Sequence, residues 1–195
     1  MFNVLLDPLP TEWNGFSIDH DFRTGVLISQ CLQDPALNGR ERIYTAASLL
    51  FPQEHPDLIE AVEAVEWFLS DYDHDNHNSK KADGNVRVMD FDIDQWRIYA
   101  AFRKQYGIDL SIEKLHWFVF MGLLSNLDEC NFTRVIDIRL KKITGQMGKE
   151  ERQAIRNAKK VYALTVTSAE ESISDEEKEK QQEAQEDFMR MINKK

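Results

Sequence analysis

Apolar residues recur at three- and four-residue intervals along most of the chain, with glycine, proline and short polar stretches between the periodic segments. This spacing is typical of amphipathic helices. Near the N-terminus, by contrast, Asn14-Gly15 lies between two short β-prone stretches, which predicts a tight hairpin. The pattern therefore predicts a mainly α-helical globular domain with a small N-terminal β-hairpin and a charged C-terminal helix.

Capping residues indicate where the first two helices begin. Ser17 or Asp19 offers the N-cap of a first helix that ends near Asp34. Asn38, followed by Glu41 three residues later, forms a capping box for the second helix.

Proline residues separate the second helix from the third. Pro52 ends the second helix, and Pro56 is placed where a first helical turn tolerates proline. The predicted inward stripe of the third helix is Leu58, Val62, Val65 and Leu69. Trp67 lies off this stripe, which makes it a candidate for partner binding. The alternative is that Trp67 packs against the hairpin or a second helix.

The polar segment from about 71 to 88 is predicted to be an exposed linker because it lacks apolar periodicity. Its three alternating aspartates resemble the start of an EF-hand loop: Asp71, Asp73 and Asp75. Asn76 and Ala82 then replace the glycine and glutamate that such a loop requires. No metal site is therefore predicted. The chain also lacks the common catalytic and phosphate-binding motifs, so neither an enzyme nor a cofactor is expected.

Two helices rich in aromatic residues are predicted in the middle of the chain. Asp92 caps the first, Gly107 ends it, and its inward side carries Trp96, Tyr99, Phe102 and Tyr106. Ser111 caps the second, which runs to about Ser125 and is apolar on every side, as expected for a central helix. His116 has no evident catalytic partner, so it is predicted to be a buried histidine with satisfied polar atoms.

Two further helices complete the predicted core. The inward stripe of the first is Phe132, Val135, Ile136, Leu140 and Ile143. The inward residues of the second are Ala154, Ala158, Val161 and Tyr162. Its opposite side carries a basic strip, formed by Arg152, Arg156, Lys159 and Lys160. A solvated helix exterior is the simpler interpretation of this strip, and a binding surface is the alternative.

Residues 166–195 are predicted to form a flexible linker and an acidic amphipathic helix, outside a helical domain of residues 1–165. The tail contains nine acidic and two basic residues between 170 and 187. Its apolar side is too small to order it strongly without a partner, and the candidate contacts are Phe188, Met191 and Ile192. The tail could lie on the basic strip of its own or a neighbouring subunit, so self-association is expected.

The chain has 195 residues, 42% of them hydrophobic, and a formal net charge of −10 at pH 7. This acidity argues against general binding of nucleic acid. The opening residues lack a secretory pattern and no apolar segment is long enough to span a membrane, so a cytoplasmic protein without membrane contact is expected. Cys31 and Cys130 are far apart in the sequence, which predicts free, buried thiols.

Three stretches together resemble the bacteriophage gene-product-fifteen family: "LPTEWNGFSIDHDFRTGVLISQCLQD", "WRIYAAFRKQYGIDL" and "LHWFVFMGLLSNLDECNFTRVIDIR". The resemblance extends from Val4 to about Tyr162. It implies a mainly helical tail-assembly chaperone of long-tailed phages, which is not an enzyme. Such a protein would coat the tape-measure protein and recruit major tail subunits in the host cytoplasm, and it is not expected in the mature virion.

A second hypothesis remains open from the residues themselves. The basic strip could serve a nucleic-acid-binding or packaging accessory protein, although the net acidity argues against it. An enzyme with an unrecognised carboxylate site has no positive support in the sequence.

Overall fold

The computed structural model describes residues 3–54, 56–70, 87–145 and 147–164. Within these residues the chain forms one antiparallel hairpin and seven α-helices, which confirms the predicted mainly α-helical fold. The strands are β1 (Glu12–Trp13) and β2 (Phe16–Ser17). The helices are α1 (Phe22–Gln33), α2 (Gly39–Leu50), α3 (Leu58–Ser70), α4 (Gln95–Gln105), α5 (Trp117–Ser125), α6 (Asn131–Leu140) and α7 (Lys149–Val161).

The described residues form two compact units. The first holds the hairpin and α1 to α5, and it combines the described residues up to Ser70 with Gln95–Asp128. The second holds α6 and α7, and it combines residues 87–94 with the described residues from Glu129 onward. None of the seven described helices has the length and apolar character that a bilayer-spanning helix needs.

The hairpin turns at Asn14-Gly15, as predicted. Trp13 pairs with Phe16, and both turn residues have positive φ, 48° for Asn14 and 87° for Gly15. Positive φ at both central positions is the geometry of a two-residue type I′ turn, which asparagine followed by glycine adopts readily.

The capping box of α2 is present, whereas the predicted cap of α1 is wrong. In α2, the side chain of Asn38 and that of Glu41 each bond the other residue's backbone N–H. In α1, the N-cap is Asp21, whose carboxylate accepts a hydrogen bond from the N–H of Arg23 at 2.9 Å. An isolated antiparallel bridge between Asp21 and His116 holds the preceding residues extended, so the helix starts later than the sequence suggested.

Helix α3 buries a different side from the predicted one. Its buried residues are Ala61, Ala64, Val65 and Phe68, so only Val65 of the predicted stripe is buried. The two alanines allow α3 to approach its neighbours α1 and α2 closely. Phe68 then reaches the aromatic core.

The aromatic residues that were predicted to face inward on helix α4 do not all lie on its buried side. Phe102 is completely buried, but Trp96 is 74% exposed. Six residues at 3.6 per turn place these two side chains about 120° apart around the helix, so one side cannot bury both. Gly107, with φ of 71°, follows the end of the helix as predicted.

Helix α5 begins at Trp117, later than the predicted start at Ser111. The carboxylate of Asp109 accepts hydrogen bonds from the N–H and the hydroxyl of Ser111, at 3.1 and 2.6 Å. These bonds stabilise a turn in place of a helix start. His116 then acts as the N-cap, accepting the N–H of Phe118 on Nδ1 at 3.0 Å.

Aromatic rings around α5 form the core of the first unit. The ring of Phe120 stacks on Phe22, Phe102 and Trp117, with centroid separations of 4.8, 5.1 and 5.8 Å. Trp117 also stacks on Phe68 at 6.0 Å. These contacts confirm that α5 is the central helix.

The second unit is built around a buried ion pair. Arg139 of α6 contacts both carboxylate oxygens of Asp94, at 2.6 and 3.0 Å, and the Asp94 side chain is fully buried. The same guanidinium donates to the carbonyls of Val88 and Tyr162, at 3.0 and 2.7 Å. The buried residues of α6 are Phe132 and Val135, whereas Leu140, predicted to face inward, is exposed.

Candidate protein-binding surfaces

His116 is a structural residue of the core. Because Nδ1 accepts the N–H of Phe118, the proton is on Nε2, which donates to the carbonyl of Pro10 at 2.8 Å. The ring also stacks on His20, with centroids 5.0 Å apart. Burial lowers the pKa of His116, the carbonyl of Pro10 opposes that effect, and nearby His20 lowers the pKa further. Both ring nitrogens have partners, which confirms the predicted satisfied histidine.

A cleft of about 350 Å³ lies beside the hairpin, lined by Gly15, Phe16, Ser17, Gln53 and Glu54. Among these lining residues Glu54 alone carries a charge, so the cleft does not bring together the paired groups of acid–base or nucleophilic chemistry. Across the part of the chain that the structure describes, no cluster of His, Cys, Asp and Glu could hold a metal ion. Cys31 and Cys130 are free, as predicted, but both are half-buried, whereas full burial was expected.

Trp67 is half-buried and packs against a second helix. Its ring lies edge-on to Phe118 of α5, with a centroid separation of 5.5 Å, and beside Phe68 at 6.4 Å. Trp67 therefore packs against a second helix, which is the alternative that the sequence left open.

Helix α7 turns inward a side that only partly matches the predicted one, since Ala158 and Tyr162 are half-buried as expected. Ile155 is its buried residue, whereas Ala154 and Val161, both predicted to face inward, are exposed. Val161 lies between about 100° and 180° from the individual members of the basic strip around the helix, so the outward side of α7 is partly apolar.

The basic strip therefore borders the buried side of α7 and does not lie opposite it. Three of its members are half-buried: Arg152, Arg156 and Lys159. Lys160 is exposed. Each of the half-buried residues lies within about 100° of Ile155 around the helix, so their aliphatic stems can cover apolar surface next to it. This placement favours a packing role for much of the strip.

Several predicted features lie outside the described residues. These are the tail contacts Phe188, Met191 and Ile192, the EF-hand-like aspartates Asp71, Asp73 and Asp75, and most of the predicted linker.

The outward side of α4 is a surface that sequence reasoning missed. Trp96, Tyr99 and Arg103 follow each other at helical spacing on this side, and Trp96 stacks edge-on with Tyr99 at 5.8 Å. We call these three residues the Trp96 face. Aromatic periodicity had placed Trp96 and Tyr99 inside. Ile98, Ala101 and Phe102 are the buried residues of α4. Their apolar character at three- and four-residue spacing was the signal in the sequence that could have corrected the prediction.

Asp109 orders two of the side chains in the Trp96 face. Its Oδ1 accepts a hydrogen bond from the hydroxyl of Tyr99 at 3.2 Å, and its Oδ2 lies 3.6 Å from the guanidinium of Arg103. The hydrogen bonds from Ser111 are the main reason that the pKa of Asp109 is lowered, and Tyr99 and Arg103 lower it further. Asp109 therefore stays ionised and holds this face in place.

A second exposed apolar surface is the N-terminal turn of Val4, Leu5 and Leu6, whose side chains all point to solvent. Asn3 closes the turn: its side-chain oxygen accepts the N–H of Leu5 at 2.9 Å, and its carbonyl accepts the N–H of Asp7 at 2.8 Å. An ordered turn that exposes three consecutive large apolar residues is typical of a protein-binding element.

Comparison with known proteins identifies one family. The model of the bacteriophage Gp15 protein family matches residues 5–164, which include the hairpin and all seven described helices. No curated protein and no solved structure matches the chain.

Proposed function

The chain belongs to the bacteriophage Gp15 protein family, and from this membership we propose that it is a tail-assembly chaperone. It binds the tape-measure protein and helps to recruit major tail subunits around it. It acts by protein–protein recognition and not by catalysis, in the cytoplasm of the bacterial host. The observation that carries the proposal is the family match across the whole described fold.

The surfaces of the protein support this role. Large apolar side chains are exposed on ordered elements, at the N-terminal turn and at Trp96. A tape-measure protein has long helices with apolar stripes, which would associate with one another unless a partner covers them. Exposed apolar surfaces on a stable helical scaffold are suited to that task.

Nucleic-acid binding receives less support. Counterion release requires basic side chains that reach the phosphates, and three of the four residues in the basic strip are half-buried beside Ile155. Self-association through the acidic tail remains a proposal, since the tail lies outside the described residues.

Co-expression with the tape-measure protein of the same phage tests the proposal. We expect the soluble fraction of the tape-measure protein to rise and the two proteins to elute together in size-exclusion chromatography. A Gly25→Val variant serves as the control, because its side chain would overlap the ring of Trp117 and is expected to disrupt the fold. This variant should give neither effect. An unchanged soluble fraction together with separate elution would refute the chaperone role.

A further inference from the structure

We infer that the Trp96 face is the docking site for one element of the partner, an amphipathic helix with an apolar stripe and acidic flanking residues. This inference rests on the proposed function and identifies where on the chaperone the tape-measure protein binds.

The composition of the Trp96 face is that of a binding hot spot. Tryptophan, tyrosine and arginine are the residues most enriched among those that dominate binding energy at interfaces. Trp96 is 74% exposed, although tryptophan is usually highly buried in folded proteins. Burying this indole on binding would remove a large apolar area from water, which is the main favourable contribution to association.

The face is ordered before any partner arrives. Asp109 bonds Tyr99 and pairs with Arg103, and the carbonyl of Gly107 accepts a further hydrogen bond from Arg103 at 3.4 Å. The edge-on contact with Tyr99 also restrains the indole of Trp96. Side chains that are already ordered lose less conformational entropy on binding, so the face needs little rearrangement.

The local charge selects an acidic partner. Helix α4 contains three basic residues, Arg97, Arg103 and Lys104, and no acidic residue, in a chain whose net charge is −10. The side chain of Arg103 is 56% exposed and lies 3.6 Å from Asp109, so it can contact a second carboxylate without leaving the first. Lys104 is exposed in the same last turn. This complementarity attracts an acidic segment and orients it along α4.

The spacing of the face fits a helix. Trp96 and Arg103 are seven residues apart, which corresponds to about 10.5 Å along the helix axis, or two turns of a partner helix. Ala100, which is exposed between them, leaves a notch that an apolar side chain of the partner can enter. A helix laid along α4 would thus place apolar residues against Trp96 and Ala100 and a carboxylate near Arg103.

The test compares variants in co-purification with the tape-measure protein of the same phage. Trp96→Ala and Arg103→Glu are each expected to weaken binding roughly tenfold or more. Ile59→Ala is the matched control, because Ile59 of α3 is also 74% exposed and lies outside the face. This control should bind like the wild type, and the thermal unfolding of all three variants should show that they are folded.

The outcomes separate the inference from the proposed function. If the wild type binds and both face variants bind equally well, the Trp96 face is not the docking site, although the chaperone role stands. If the wild type itself does not bind, the proposed function and this inference fail together. Photo-crosslinking from benzoylphenylalanine at position 96 identifies the occupant. Adducts on acidic helical segments of the tape-measure protein support the inference, whereas adducts on a second copy of this chain overturn it.

Discussion

The indole ring of Trp117 lies directly against the backbone of Gly25, in the space that any side chain at position 25 would occupy. Helices α1 and α5 therefore pack at their closest approach through a glycine and the largest side chain of the core. The contact explains how a helix as bulky as α5 can be central. Its tryptophan is accommodated because α1 carries no side chain at that point.

Gly25→Ala is expected to destabilise the protein by about 1–3 kcal/mol, because its Cβ would overlap the ring atoms of Trp117 in a packed core. The matched control is Gly39→Ala in α2, where an added Cβ meets nothing within 4 Å. This control should be neutral or stabilising by up to about 1 kcal/mol. Urea unfolding midpoints measure both changes, and equal midpoints for the two variants would contradict the packing account.

Arg139→Met is expected to cost about 3–5 kcal/mol, since it leaves the buried carboxylate of Asp94 without its guanidinium. Arg134, also on α6, forms an exposed pair with Glu129 at 2.9 Å. Arg134→Met should change stability by less than about 1 kcal/mol. The comparison uses chemical denaturation of both variants at one pH. A small loss for Arg139→Met would show that the buried pair contributes little.

Stability is expected to fall as the pH decreases below about 6.5, the ordinary pKa of histidine. Burial lowers the pKa of His116 in the folded protein, so the folded state binds fewer protons than the unfolded state in mildly acidic solution. The contribution is fully present above the unfolded-state pKa and is lost as the pH falls through the folded-state pKa. Protonation of Nδ1 would also remove the cap that Phe118 uses.

His116→Asn provides the check on this pH dependence, because asparagine can still cap a helix but does not titrate. Urea midpoints at pH 7.5 and pH 5.5 should differ less in the variant than in the wild type. If the difference is the same in both proteins, His116 is not the group responsible.

Trp67 and Trp96, which differ in exposure, should behave differently when they are replaced by alanine. Trp67→Ala removes the contact with Phe118 and is expected to cost about 2–3 kcal/mol of stability. Trp96→Ala should change stability by no more than about 0.5 kcal/mol, because the side chain is mostly in solvent. Thermal unfolding of the two variants measures the contrast. A large loss for Trp96→Ala would indicate that this residue is part of the core.

Several features that depend on neighbouring residues were predictable. The Asn14-Gly15 turn, the capping box of Asn38 and Glu41 and the helix stop at Gly107 all occur as the sequence indicated. Each is determined by the conformational preference of one residue or by a hydrogen bond within four residues. Features that depend on the direction of packing were less predictable. Trp96 was expected inside and is outside, and the inward side of α7 contains Ile155 instead of Val161.

By itself, the sequence determined that this protein is mainly helical, approximately where its helices lie along the chain, and which family it belongs to, because these properties depend on local periodicity and residue order. Only the tertiary structure decided which side of each helix is buried. Helices such as α4 carry apolar residues on more than one side, and the neighbouring elements select which side packs. That selection left Trp96 at the surface and enclosed Trp117 against Gly25.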